Sequence, residues 1–143
     1  MTMLCAAAAA LLLLQPAPAK PAPAATDLAV TVTYKGKGTV DANHQIVAWL
    51  FTDADITSNS RPIATLSTAK NGETLVFKDV GAQPVYIFAA FDSKGGYDGR
   101  NSPPPAGIPT ALYSKVAKGP ATAVKAGGPA VTLTFDDSQP WNK

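Results

Sequence analysis

From Leu28 onward, apolar and polar residues alternate with a period of two, and no stretch carries a helical stripe. That pattern suits strands with one face on a core, since successive side chains point to opposite sides. In LAVTVTY, residues 28–34, Leu28, Val30, Val32 and Tyr34 share one face, while Thr31 and Thr33 share the other. Lys35-Gly36-Lys37-Gly38 then reads as a turn. QIVAWLFT, residues 45–52, is apolar on both faces, which predicts a central strand covered from both sides. A short third strand is expected over residues 62–67, with Pro62 at its start, where a missing N–H is tolerated. Asn71-Gly72 is a hairpin turn signal and leads into a fourth strand, residues 74–77.

Residues 79–84 form a turn-like stretch, and VYIFAAF, residues 85–91, is the most buried-looking strand. Residues 111–116 and 121–125 read as weaker strands, Gly127-Gly128-Pro129 punctuates them, and VTLTF, residues 131–135, closes the domain with clear alternation. Seven or eight short strands with frequent turn signals and no helix predict an all-β, antiparallel sandwich.

The first residues read differently. Leu4 to Leu14 is an unbroken run of eleven small or apolar residues. A bilayer needs about 20, so the run has the length of a secretory signal core rather than a span. Small-x-small sites follow, permitting cleavage after Ala19 or after Ala24, although no Lys or Arg precedes Lys20 to make the usual positive n-region. Residues 16–25 alternate proline and alanine, a composition that favours extended polyproline II. The expected organisation is a signal peptide and linker over residues 1–24, then one β-sandwich domain over residues 25–143. The expected localisation is exported, periplasmic or secreted, with no stable membrane span after signal cleavage. Cys5, the only cysteine, lies inside the signal core, so the mature chain would have no disulfide, thiolate nucleophile or cysteine zinc site. It stands at the start of the apolar run, whereas a lipid-anchored cysteine follows one.

The formal charge is +2, and cutting after Ala24 leaves eleven basic against ten acidic residues. The charges are interspersed, with no basic stripe interleaved with aromatics, so nucleic-acid binding has no support.

The strand LAVTVTY, the strand carrying AWLF, the PIA that begins the third strand, and FKDVGAQPVYIFAAFDSKGGYDG with its following GIP together resemble a family of small exported bacterial domains of unknown function. Those domains have a transthyretin-like (prealbumin-like) sandwich, related in shape to carboxypeptidase regulatory-like domains. The resemblance spans about residues 27–136 and is most specific over residues 77–109. It implies the same sandwich here and a loop in which Asp92 keeps the first position of an Asp-x-Asn-x-Asn/Asp-Gly pattern. Lys94 and Gly96 replace the later oxygen ligands and Asp98 remains. Transthyretin-like hydrolases use histidines and an arginine on the sheet face and end in Tyr-Arg-Gly-Ser. This chain has one histidine and no such ending.

The stretch FDSKGGYDGRNSPPPAGIP, residues 91–109, is the candidate functional segment. Asp92 and Asp98 flank Gly95-Gly96, and Asp53 or Asp55 could approach from another loop. Calcium is one reading, since it takes six to eight oxygens from carboxylates, carbonyls and water. A turn whose Asp side chains bond local N–H groups is the other. Lys94 at a ligand position and Pro103 at the twelfth favour the turn. The proline-rich half must be extended. It either presents Tyr97, Arg100, Asn101 and Tyr113 as a rigid recognition patch or simply crosses between strands over an open sandwich end.

Catalysis has little to stand on. His44 is the only histidine and Glu73 the only glutamate, so neither a Ser-His-Asp triad nor a paired-Glu site is expected. Trp49 belongs to an apolar strand and reads as core, while Trp141 near the end either packs back or stays exposed. The expected function is a non-catalytic binding or accessory module of the cell envelope, recognising a protein or glycan through the 92–110 loop. Alternatives are a structural module pairing by its edge strands, a calcium-stabilised domain and, last, a small hydrolase.

Overall fold

A computed structural model describes residues 24–100 and 103–142. Among the described residues there are seven strands and no helix. No helix there is long and apolar enough to cross a membrane. The expected signal core, the cleavage site after Ala19 and Cys5 lie outside the described residues.

The strands are β1 (Leu28–Tyr34), β2 (Ile46–Phe51), β3 (Ala64–Thr68), β4 (Glu73–Phe77), β5 (Tyr86–Phe91), β6 (Thr110–Leu112) and β7 (Val131–Phe135). They form a three-stranded sheet, β4-β1-β7, and a four-stranded sheet, β3-β2-β5-β6. The expected weak strand over residues 121–125 reduces to a single bridge between Val85 and Val124. The one before it shortens to Thr110–Leu112.

The expectation of an antiparallel fold needs one correction. Every pair is antiparallel except β1 with β7, which is parallel. Parallel neighbours need a long connection; here the chain between β1 and β7 builds the other five strands, and residues 113–130 return it from the four-stranded sheet to the three-stranded one. Alternation reports which face a residue takes; it carries no information about strand direction.

The period-two pattern sorts the side chains as expected. Val30, Val32 and Tyr34 of β1, Leu75 and Phe77 of β4, and Leu133 and Phe135 of β7 meet Ile46, Ala48 and Leu50 of β2 and Ile87, Ala89 and Phe91 of β5 in one buried cluster. This is the core between the sheets. Tyr34 stacks on Phe91 with ring centroids 4.1 Å apart, and its hydroxyl bonds the Asp137 carboxylate. Burial and that carboxylate push the Tyr34 phenol up to about 12. The outer face of the three-stranded sheet is polar, where Thr31 and Thr74 pair through their hydroxyls at 2.8 Å. At the start of β1, the buried Asp27 accepts bonds from the Lys78 ammonium (2.6 Å) and the Asp79 N–H (3.2 Å), tying β1 to the end of β4.

Candidate functional site

The four-stranded sheet has a second apolar face, and this face positions the site. Because side chains alternate, Val47, Trp49 and Phe51 of β2 and Phe88 and Ala90 of β5 all point away from the inter-sheet core. An apolar face left in water forgoes roughly 25 cal/mol per Å², so something must cover it. Ile56, Ile108, Tyr97 and Trp141 do so from three loop segments. Trp49 therefore is core, as its strand predicted, but in this outer cluster rather than between the sheets. Trp141 packs back and is only 6% exposed.

Two devices hold this cover down. The first is the carboxylate of Asp92, itself 1% exposed. Its Oδ1 accepts the N–H groups of Lys94 (3.2 Å) and Gly95 (2.9 Å), and its Oδ2 accepts that of Tyr97 (2.7 Å). This curls the loop back over the sheet. Gly99 then lies so close that a Cβ there would sit 2.3 Å from Val47 and 2.8 Å from the Trp49 ring, at a φ of +75°. Only glycine fits such an approach in the left-handed region. The contact lets the Trp49 Nε1–H donate to the Gly99 carbonyl at 2.9 Å. The second device is the C-terminal segment. Trp141 N–H donates to Ile108 O (2.9 Å), Gly107 N–H to Trp141 O (2.8 Å) and Thr110 N–H to Gln139 O (2.8 Å), so residues 139–141 run beside residues 107–110.

The cover is incomplete. Between residues 97–100 and 103–104, the turn at residues 56–62 and Trp141 lies a pocket of about 280 Å³. Trp49, Phe51, Phe88 and Trp141 form its aromatic floor, Tyr97 and Pro104 one wall, and Ser60 and Arg61 the other, with Arg100 at the mouth. The rings pack at tilted angles: Phe88 lies 5.5 Å from both Trp49 and Trp141, and Tyr97 6.1 Å from Trp49. Burial chiefly, with the negative charges of Asp98 and Asp92, pushes the Tyr97 phenol up to about 12.

Of the residues expected to form a patch, Tyr97 and Arg100 line this pocket. Asn101 lies outside the described residues. Tyr113 is elsewhere, packed on the inter-sheet core with its N–H donating to Ile87 O at 2.8 Å. Tyr97 and Ile108 bring the loop over the sheet's outer face, while Ser93, Gly107 and Pro109 border the groove lined by Tyr34 and His44. Ile56, Arg61 and Phe88 were not singled out from sequence. The second apolar phase of QIVAWLFT was the available signal, because a strand buried on both faces requires a second cover.

The contacts of the acidic candidates are those of turns. Asp92 bonds backbone as above, Asp98 accepts the Arg100 N–H (3.0 Å), and Asp53 accepts that of Asp55 (2.9 Å). Among the described residues, no three or more His, Cys, Asp or Glu side chains gather as metal ligands.

A broader, more open groove of about 530 Å³ lies at one end of the sandwich, lined by Tyr34, Lys37, Asp41, His44, Ser93 and Asp137. Here Asp41 Oδ1 meets His44 Nδ1 at 3.0 Å, and Asp137 takes the Tyr34 hydroxyl and the Lys37 N–H. Its carboxylates are thus held by neighbours: Asp41 is lowered below the ordinary range chiefly by the Asn43 N–H, which donates to it at 2.8 Å, and then by His44, and Asp137 chiefly by the Tyr34 hydroxyl and then by the Lys37 N–H.

In comparisons with known proteins, no family model, no curated protein and no solved structure matches the chain.

Proposed function

We propose that this protein is an exported, non-catalytic binding module with a transthyretin-like sandwich, which recognises a protein or glycan partner through the pocket bordered by the 92–110 loop. One observation carries the reading: the pocket has an aromatic floor and a polar rim on a face the sheet could otherwise have closed. Ligand sites are typically concave and mostly apolar with a few polar groups placed around them. The export part of the proposal draws on the leader-like run from Leu4 to Leu14 and the small-x-small sites after it. The transthyretin-like part draws on the two-sheet arrangement of three and four strands and on the sequence resemblance.

Both tryptophans of the chain lie in this pocket, so its occupation is readable without a label. Titrating the purified protein with soluble glycan fragments and short peptides should shift tryptophan emission for a binder. The shift should be lost in Tyr97→Ala and kept in Tyr113→Ala. An equal loss in both variants, or a binder that leaves emission untouched, argues against this pocket.

A second reading has its own observation. β7, Val-Thr-Leu-Thr-Phe, pairs with β1 on one side only and carries no charge, proline or break. Unprotected edges of this kind add strands from other chains. Sedimentation of the protein and of Thr132→Lys across a concentration series separates pairing by β7 from a monomeric binding module.

A further inference from the structure

We infer that the ligand of the outer-face pocket is an acidic peptide segment, with one aromatic or branched side chain on the floor and a carboxylate against Arg61 and Arg100. This rests on the reading of the pocket as a binding site and names the chemistry it takes.

Three observations lead to it. First, size: about 280 Å³ is at the lower limit for ligand sites and suits one side chain rather than an extended molecule. Second, the floor is apolar and saturated. Trp49, Phe88 and Trp141 line it as aromatic rings, each at least nine-tenths buried. The Trp49 N–H is already bonded to Gly99, and no buried side-chain polar atom among the described residues lacks a partner. A sugar hydroxyl lowered onto this floor would find nothing to bond, at the cost of an unpaired buried polar group. An apolar side chain pays no such penalty.

Third, charge. Among the described residues, the pocket is lined by two arginines and by no Asp, Glu, Lys or His. The rim hydroxyls of Thr57 and Ser60 are taken up within their own turn, where Ser60 Oγ accepts the Thr57 N–H at 2.9 Å. Asp98 is near in sequence, but its carboxylate bonds the backbone of Arg100. Neither guanidinium forms an ion pair among the described residues. A guanidinium offers a planar fork of donors matched to carboxylate. Two such forks beside an apolar hole select an anion attached to an apolar body.

The test titrates tryptophan emission with N-acetylphenylalanine, its neutral amide N-acetylphenylalaninamide, and N-acetylglucosamine. The wild type and Arg61→Gln/Arg100→Gln are compared at low and high salt. The acid should bind about fivefold more tightly than the amide, as expected for two exposed charge contacts. High salt should shrink that preference through screening, and the double variant should abolish it. Equal binding of acid and amide overturns the anionic ligand and leaves the pocket standing. A response to the sugar alone overturns the peptide in favour of a glycan. A preference that survives the double variant removes the arginines from the account. No response to any probe overturns the pocket itself.

Discussion

The two apolar clusters on either side of the four-stranded sheet are built by different means. The inter-sheet core is strand against strand: eight of its residues come from the three-stranded sheet, and every one follows the period-two register. The outer cluster is strand against loop, and its lid is held by one buried carboxylate and a few backbone bonds from residues 107–110 and 139–141. The first is closed on itself. The second leaves a gap at its margin, and that gap is the pocket. A β-sandwich needs only one core to stand, so a second cluster covered by irregular chain is free to be open, and that is where a ligand can be admitted.

The largest effect should come from the inner side. Phe91→Ala removes a 1% exposed ring stacked on Tyr34 and should cost about 4 kcal/mol in urea unfolding, with all probes melting together. On the outer side, Trp141→Ala should cost about 3 kcal/mol at most, because the end of the chain can partly collapse into the space. Equal losses with full loss of cooperativity in both would erase the distinction between the clusters.

Asp92→Asn sharpens the same comparison. The substitution places an amide N–H where Asp92 now accepts the N–H of Lys94, Gly95 or Tyr97, and should cost about 2 kcal/mol. Hydrogen exchange of the Lys94, Gly95 and Tyr97 amides should speed up while β1 and β2 stay protected. Loss of protection in β1 would mean that the lid and the inner core are one unit. If Asp92 organises the loop in this way, millimolar calcium should leave the melting temperature of the wild type unchanged; a rise that Asp92→Asn abolishes would restore the metal reading.

Each cluster also has its own titration. Tyr34 belongs to the inner core and Tyr97 to the lid, and both phenols are pushed up to about 12. A group whose folded pKa is raised stabilises fully below its unfolded value, near 10, and loses that contribution as pH rises through 12. Tyrosinate absorbance should therefore show late ionisation that loses one step in Tyr34→Phe and another in Tyr97→Phe. The smallest effect lies on the acid side. The Lys78 hydrogen bond leads the causes that hold Asp27 below its ordinary value. Its contribution is present above that value and is lost as pH falls through the lowered one. Asp27→Asn should thus flatten part of the acid dependence of the melting temperature.

The alternation in LAVTVTY, QIVAWLFT, VYIFAAF and VTLTF was enough to place the strands and the inner core, because a period of two decides which face a side chain takes. The same reading identified β2 as buried on both sides. It could not say what lies on the second side, since that cover comes from Ile56, Tyr97, Ile108 and Trp141, up to 85 positions apart and without any period. Strand direction was equally hidden: β1 and β7 run parallel because of where the 113–130 crossover delivers the chain. Tyr97 and Arg100 were legible as members of one loop. Their meeting with Arg61, and their separation from Tyr113, were decided only when the Asp92 carboxylate and the C-terminal segment folded that loop onto the sheet. Local pattern fixes the face a residue shows, whereas contacts between distant segments depend on how the whole chain closes.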